Sequence, residues 1–190
     1  MGDVAWLDPD EQRTWRGLLA AQARLRARLE DELVRAHGIS LGDYAVLVNL
    51  SETPGRSMRM AELASRLALS PSGLTRRIDG LVRQAMVARQ ACPSDGRGSL
   101  AVLTDIGLAR LADAAATHVA GVRRYLIDPL AGPALAALAA GIAAVEEALD
   151  GGGIAADPDQ GPDQRAPGPV TTSPPRSIQP FVPPATETAR

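Results

Sequence analysis

The sequence predicts a mainly α-helical protein with one small β-hairpin. Apolar residues recur at three- and four-residue spacing along most of residues 10–149, which is the periodicity of amphipathic helices. The pattern changes at 87–91 and 100–104, where two short runs with strand character flank a segment rich in Gly, Ser and Asp. After residue 149 the periodicity ceases. These observations predict one helical domain that contains a hairpin and is followed by a long tail.

Two helices are predicted at the start of this domain, after a mobile N-terminus of residues 1–9. A long amphipathic helix is expected over residues 10–37, where Gly38 ends it. Its apolar stripe consists of Trp15, Leu18, Gln22, Leu25, Leu29 and Leu33. A second helix is expected from Ser40 to Thr53. Because this helix is apolar nearly all round, it is predicted to be buried.

Residues 60–87 have the pattern of two helices joined by a turn. Ser70-Pro71 starts the second helix, because Ser70 can accept a bond from an unpaired backbone N–H and Pro71 has no N–H to lose. This helix is predicted over Ser70–Val87. Its outward face carries Ser72, Arg76, Asp79 and Arg83, with Thr75 on the flank. Hydroxyls and arginines at the start of a second helix are typical of a DNA-binding helix-turn-helix.

A hairpin directly after such a helix would form a wing. Its tip, Pro93–Gly98, carries Arg97 between two glycines that allow the backbone to approach a partner closely. Residues 54–104 contain eight Arg and three acidic residues, a net charge of +5 in a chain whose net charge is −2. A basic segment in an acidic chain indicates phosphate binding. For the charge taken alone, a solvated surface is an equal alternative.

The segment LSPSGLTRRIDGLV is followed by D-x-R-x-x-x-x-x-L-T-x-x-G, formed by Asp95, Arg97, Leu103, Thr104 and Gly107. Together these motifs resemble the MarR family of winged helix-turn-helix transcriptional regulators. The resemblance is strongest over 60–107 and extends more loosely over about 10–149. It implies that the terminal helices form a homodimer interface. It also implies that a small-molecule effector, often an aromatic acid, binds between the dimerisation helices and the winged lobe.

We therefore predict a winged-helix lobe at 40–104 and dimerisation helices at 10–37 and 104–149. The last helix carries a coiled-coil-like repeat of Leu135, Leu138, Ile142, Val145 and Leu149. A small winged domain has little need for three long amphipathic helices, so an intermolecular bundle is expected. The alternative is that these helices pack only on their own lobe. Residues 151–190, with nine Pro and five Gly, are predicted to be a disordered tail.

The second helix of the pair is expected to enter the major groove of double-stranded DNA by its N-terminal end. Arg76 is expected to bind a guanine, and Thr75 a base edge or a thymine methyl group. Phosphate contacts are expected from Ser70, Ser72 and Arg77, helped by the positive end of the helix dipole. Two such helices in a dimer would bind a pseudo-palindrome about 10 bp apart.

The wing and the effector site add five candidate residues. Arg97 is expected to enter the minor groove, where the negative potential is concentrated. Asp95 is expected to support the wing tip, as the resemblance also implies. Trp15, His37 and Tyr44 are candidates to line the effector site, although each of them also suits a core or surface position.

Other functions are weighed against this prediction. The single Cys92 excludes an intramolecular disulfide, but it allows a regulator that responds to thiol oxidation. A winged helix used for protein contacts, without specific DNA binding, is a second alternative. We expect no enzyme, cofactor or metal site, because no matching motif is present. With no signal peptide or membrane span apparent, the expected protein is a cytoplasmic repressor that occludes its operator.

Overall fold

The structure, a computed structural model, describes residues 4–92 and 95–151, and gives only the backbone at 95–97 and 151. Of the predicted mobile N-terminus, residues 1–3 lie outside this description. The predicted disordered tail lies outside it from residue 152 onwards.

The first two helices follow their sequence signals closely. Helix α1 spans Pro9–His37, and Asp8 caps its N-terminus by accepting bonds from two backbone N–H groups. Gly38, at φ +65°, ends the helix in the left-handed conformation that glycine tolerates. Helix α2 spans Leu41–Ser51 and is capped by Ser40. Both helices confirm the predicted elements to within two residues.

The rest of the first unit is a helix pair with a small sheet, and one more long helix. In chain order the elements are β1 (Ser57–Arg59), α3 (Met60–Arg66), α4 (Pro71–Arg83), β2 (Val87–Cys92), β3 (Asp95–Leu103) and α5 (Asp105–Val122). Strand β1 was not predicted, because three residues are too few to show an alternating pattern.

The predicted end of the second helix, at Val87, was wrong. Helix α4 ends at Arg83, and Ala85 adopts a left-handed conformation with φ +58°. The chain then reverses, because the amides of Ala85 and Met86 donate to carbonyls of the last helical turn. Val87 is therefore free to begin β2 and pair with Leu103.

The three strands form an antiparallel sheet in the order β1-β3-β2. The predicted hairpin is confirmed, and its second strand is longer than expected. Of the predicted turn, Pro93 and Ser94 lie outside the described residues, whereas the backbone of 95–98 belongs to β3. The register shifts between Ala91 and Cys92, where the ladder becomes irregular.

The core of this unit lies between α2, α4, the sheet and α5, and only the C-terminal end of α1 contributes to it. Its largest fully buried side chains are Leu33, Ile39, Leu47, Leu50, Leu63, Leu74, Ile78, Leu81, Leu111, Val46 and Val87. The predicted apolar stripe of α1 is therefore buried only at its C-terminal end. Leu29 and Leu33 are buried, whereas Trp15 and Leu18 are 53% and 56% exposed.

A compact junction connects the sheet to α5. The hydroxyl of Thr104 caps α5 by accepting from the Gly107 amide at 3.0 Å, and it donates to the Ala85 carbonyl at 2.7 Å. Gly107 packs so closely on Met86 that an added Cβ would lie 2.9 Å from the Met86 carbonyl carbon and nearer still to its oxygen. Only glycine leaves room for this contact.

The described residues from Ile127 to Gly151 belong to a second unit. Helix α5 continues as a π-helical turn over Arg123–Ile127, and Pro129 lies in the 3-10 turn Asp128–Leu130. Helix α6 spans Pro133–Gly151, so the predicted last helix is confirmed and ends two residues beyond the predicted position 149. Its predicted seam includes three large exposed side chains, Ile142, Val145 and Leu149. The dimerisation bundle itself stays a prediction.

No single helix in the described part of the chain is long and apolar enough to cross a membrane. Helices α5 and α6 reach the required length and composition only when they are taken together across their break.

We predict that Gly107→Ala lowers the free energy of unfolding by about 2 kcal/mol, a typical cost of overpacking a core. The added methyl group would meet backbone atoms of Met86, which cannot move aside as a flexible side chain can. Urea denaturation measures the effect.

Gly80→Ala is the matched control in the same structural unit, since the nearest atom to its added Cβ is a guanidinium nitrogen of Arg83 at 3.9 Å. It should leave the stability unchanged or raise it by up to about 1 kcal/mol through helix propensity. A Gly107→Ala protein as stable as the wild type would contradict the close contact.

Candidate nucleic-acid interface

The N-terminal end of α4 is fixed by local hydrogen bonding. Ser70 is the N-cap, and its hydroxyl accepts from the Gly73 amide at 3.1 Å. Leu74, Ile78 and Leu81 bury the inner face of the helix. Because successive residues are rotated by about 100°, the first turn presents its other side chains to solvent.

Four of the predicted DNA-binding residues lie together on this exposed surface. Ser70, Ser72, Thr75 and Arg76 are all exposed, and the hydroxyls of Ser70 and Ser72 are 3.3 Å apart. A hydroxyl that accepts a capping bond still has its own hydrogen to donate. The surface therefore presents hydroxyl donors and a guanidinium at the positive end of a helix dipole, which is the chemistry that binds phosphates and base edges.

Arg77 differs from the other predicted phosphate contacts. Its Nη1 atom lies 3.0 Å from a carboxylate oxygen of Asp43 and 3.2 Å from the hydroxyl oxygen of Ser40. The Arg77 side chain is only 30% exposed. The structure therefore directs this guanidinium towards the N-terminus of α2 and away from the surface that carries Arg76.

Arg89, which was not predicted as a site residue, connects β2 to α4. Its Nη2 atom lies 2.8 Å from a carboxylate oxygen of Asp79 and donates to the Thr75 carbonyl at 3.3 Å. Asp79, an acid on the outward face of α4, is thus paired with the Arg89 cation of the wing. A carboxylate on a basic helix was the only sign of this ion pair in the sequence. Its partner lies ten residues further along the chain, in another element.

A groove lies where α4 and the start of α3 meet strands β2 and β3. Its volume is about 420 Å³, and it is lined by Arg59, Met60, Ala61, Thr75, Arg89, Gly98 and Ser99. The side chains of Asp95 and Arg97 lie outside the described residues, so insertion of Arg97 into a minor groove and support of the wing tip by Asp95 stay predictions.

The three candidate effector residues do not form one site within the chain. Trp15 and His37 lie on the same continuous helix, and 22 residues separate them by about 33 Å. The His37 ring nitrogen Nε2 is 2.7 Å from the Thr117 hydroxyl oxygen, and the His37 carbonyl accepts from Arg110 at 2.5 Å. His37 therefore joins the end of α1 to α5.

Tyr44 is 7% exposed and packs against His118 of α5, with ring centroids 4.5 Å apart. Burial, and secondarily the charge of Glu52, raises the pKa of the Tyr44 phenol. Burial lowers the pKa of His118, and its buried Nδ1 has no hydrogen-bond partner among the described residues. The sequence analysis did not select His118, because a histidine in an alanine-rich helix gives no sign of what it faces.

Cys92 lies at the end of β2, and its side chain is buried, with 6% exposure. Rapid thiol oxidation requires an accessible thiolate. The burial of Cys92 therefore does not favour the oxidation-responsive alternative. Within residues 4–92 and 95–151, no group of three or more His, Cys, Asp or Glu side chains is arranged to hold a metal ion.

A helix-turn-helix pair that is followed directly by an antiparallel hairpin defines the class of winged helix proteins. Comparison with known proteins assigns the family. The sequence profile of the MarR family matches residues 37–98. No significant match was found among curated protein sequences.

Solved structures extend the match to most of the chain. AbsC, a MarR family transcriptional regulator from Streptomyces coelicolor, is 39% identical with a TM-score of 0.72, over 78% of this chain and 99% of AbsC. Sco3205, a MarR family transcriptional regulator from the same organism solved in complex with DNA, is 35% identical with a TM-score of 0.74, over 77% of this chain and 92% of its own. Wild-type MarR from E. coli, at 22% identity, shares the fold with a TM-score of 0.59.

The chain belongs to the MarR family of transcriptional regulators. The resemblance predicted from the sequence is confirmed. The members of this family that it matches are regulators and not enzymes.

We predict that the stability of the protein falls as the pH is lowered from about 7 to about 5, partly because of His118. Its folded pKa lies below the ordinary value of 6.5, so below pH 6.5 the unfolded chain binds a proton that the folded chain does not. This contribution is complete above pH 6.5 and is lost as the pH falls towards the folded pKa.

His118→Phe keeps an aromatic ring beside Tyr44 but removes the titration. The difference in Tm between the variant and the wild type should therefore shift in favour of the variant as the pH falls. Thermal unfolding followed by circular dichroism measures this difference, and all other titratable groups are common to both proteins. A difference that is constant across this pH range would refute the role of His118.

Proposed function

We propose that this protein is a dimeric, sequence-specific DNA-binding repressor that a small-molecule effector releases from a pseudo-palindromic operator. The observation that carries the proposal is the exposed N-terminal end of α4, where Ser70, Ser72, Thr75 and Arg76 lie together. The DNA complex of the relative Sco3205 supports the same function for this lobe.

In this proposal α4 enters the major groove by its N-terminal end. Arg76 projects outward, where its planar guanidinium can bind O6 and N7 of a guanine together. Thr75 contacts a base edge or a thymine methyl group. Ser70 and Ser72 donate to phosphates beside the helix N-terminus.

The wing contributes at a second position on the DNA. Arg97 enters the minor groove, and Asp95 holds the tip in shape. The groove beside Thr75 is lined by Arg89 and Arg59, whose positive charges suit a phosphate of the same DNA strand. The Arg89–Asp79 ion pair connects β2 to α4 beside this groove.

Dimerisation is proposed from the apolar side chains that the single chain leaves exposed. On the N-terminal part of α1 and the segment before it these are Trp6, Leu7, Trp15, Leu18 and Leu19, and on α6 they are Ile142, Val145 and Leu149. Exposed apolar surface of this extent marks an interaction site. A two-fold dimer would present two copies of α4 about 10 bp apart.

The effector is proposed to bind where the dimerisation helices meet the winged-helix lobe. Tyr44 of α2 and His37 at the end of α1 lie at this boundary, and both contact α5. A ligand there would change the separation of the two α4 helices. We place the protein in the cytoplasm, where such an operator and effector are accessible. A winged helix that binds only proteins is the alternative, and it would not require Arg76.

We predict that a binding selection from random DNA enriches a two-fold motif with half-sites about 10 bp apart. Arg76→Ala should weaken binding by about 1–3 kcal/mol and relax the sequence preference at one position of each half-site. Arg97→Ala should weaken binding more uniformly, since the minor groove carries a less specific pattern.

Arg35→Ala is the matched control, because Arg35 is an exposed arginine of α1 whose ion pair is with Asp31 of the same helix. It should leave the motif and the affinity unchanged. Folded protein that enriches no motif, and whose weak binding does not depend on Arg76, would exclude sequence-specific recognition.

We predict that the protein sediments as a dimer of 19.8-kDa chains. The double change Ile142→Glu and Val145→Glu places charges on the apolar seam of α6, and burying them would be unfavourable. The variant should therefore sediment as a monomer and bind the operator more weakly, because each half-site then binds alone.

The matched control is Ala140→Glu with Ala144→Glu, which adds the same charges on the opposite side of α6, given about 100° per residue. This control should remain a dimer. A wild-type protein that sediments as a monomer at micromolar concentration would contradict the proposed assembly.

A further inference from the structure

We infer that Arg77 is a positioning residue, which sets the rotation of α4 about its own axis by tying the helix to the N-terminus of α2. It does not contact DNA itself. This inference rests on the proposed function of α4 and assigns to Arg77 a different role from that of its neighbour Arg76.

The Arg77 side chain is already bonded within the protein. One nitrogen of its guanidinium bonds both Asp43 and Ser40, at 3.0 and 3.2 Å. Asp43 is only 24% exposed and Arg77 30%, so this pair is better shielded from water than most surface ion pairs. A phosphate contact would require this cation to leave a half-buried carboxylate without its partner, which is costly.

Helix α2 provides the space that the Arg77 guanidinium occupies. An added Cβ at Gly42 would lie 2.5 Å from the Arg77 Cζ atom and 2.6 Å from its Nη2. Any larger residue at this position would displace the side chain. Gly42 lies between Ser40 and Asp43, so the two acceptors and the space between them belong to one turn.

The turn that contains Ser40 and Asp43 is itself bonded to the rest of the fold. The Ser40 hydroxyl also caps α2 by accepting from the Asp43 amide at 3.0 Å. The Leu41 amide donates to the Glu30 carboxylate of α1 at 2.6 Å. The two acceptors of Arg77 therefore lie in a turn that is anchored on α1.

The geometry of α4 shows what the bond controls. Leu74, Ile78 and Leu81 face the core, and at about 100° per residue Arg77 and Asp79 fall on opposite sides of the helix, Arg77 nearer the core and Asp79 on the outward face. The Asp79–Arg89 pair connects one side to the wing, and the Arg77–Asp43 pair connects the other to α2. Arg76 lies between the two pairs and points outward, so its direction follows from both of them.

The test measures operator binding as a function of salt for the wild type, Arg77→Gln, Asp43→Asn and the double variant. If Arg77 positions α4, each single change weakens binding about tenfold and the double variant is no weaker than the singles, because both remove the same bond. The slope of log affinity against log salt stays at the wild-type value, since no phosphate contact is lost.

Gly42→Ala adds a variant that retains every charge. It should weaken binding to a similar extent, because the guanidinium is displaced from Asp43. If Arg77 binds phosphate instead, Arg77→Gln reduces the salt slope by about 0.9, while Asp43→Asn and Gly42→Ala have little effect. That result would overturn the inference.

Hydrogen exchange without DNA separates this inference from the proposed function. Arg77→Gln and Asp43→Asn should accelerate exchange of the α4 amides, whereas Arg76→Gln should not. Unchanged exchange in the first two variants overturns the positioning role. If the wild type binds no DNA, the proposed function fails, and the exchange data still decide whether Arg77 fixes α4.

Discussion

The close contact between Gly107 and the Met86 carbonyl is the constraint on which the winged-helix lobe depends. Met86 lies in the turn that separates α4 from β2, and Gly107 lies in the first turn of α5. Thr104 reinforces the contact, because its hydroxyl caps α5 and also bonds the carbonyl of Ala85. The end of α4, the base of the wing and the start of α5 are consequently held at one point.

This junction gives a physical reason for the L-T-x-x-G part of the motif. Leu103 ends β3 and is buried, Thr104 caps the helix, and Gly107 permits the approach. A change in the direction of α5 would therefore carry α4 and the wing with it as one body. Regulation by an effector, as proposed, needs this rigidity, because a soft junction would absorb the movement before it reached the DNA.

Local signals were sufficient to predict most of the fold. Caps at Ser40, Ser70 and Thr104 and the stop at Gly38 set helix boundaries through bonds within three or four residues, and such bonds can be recognised in a sequence. Strand β1 could not be predicted, because it exists only through its pairing with β3. The end of α4 was placed four residues too late, since the left-handed Ala85 has no glycine to indicate it.

The candidate site was predictable in part, for a related reason. The exposed residues at the start of α4 follow from helical periodicity and the cap. The partners of Arg77 and Asp79 lie in α2 and β2, and only the tertiary structure brings them together. The charge available on the basic segment 54–104 likewise depends on tertiary contacts. Arg56 and Arg77 pair with Asp105 and Asp43, which lie outside the basic segment, so its net charge overstates the field available to DNA.

The positions of the two tryptophans have a consequence for spectroscopy. Trp6 and Trp15 are the only ones in the chain, and both lie outside the winged-helix lobe, with 87% and 53% of their surfaces exposed. Indole emission moves to shorter wavelength when the ring leaves water. The tryptophan fluorescence of this protein therefore reports what covers the N-terminal part of α1, while the proposed DNA-binding surface of α4 contributes no tryptophan signal.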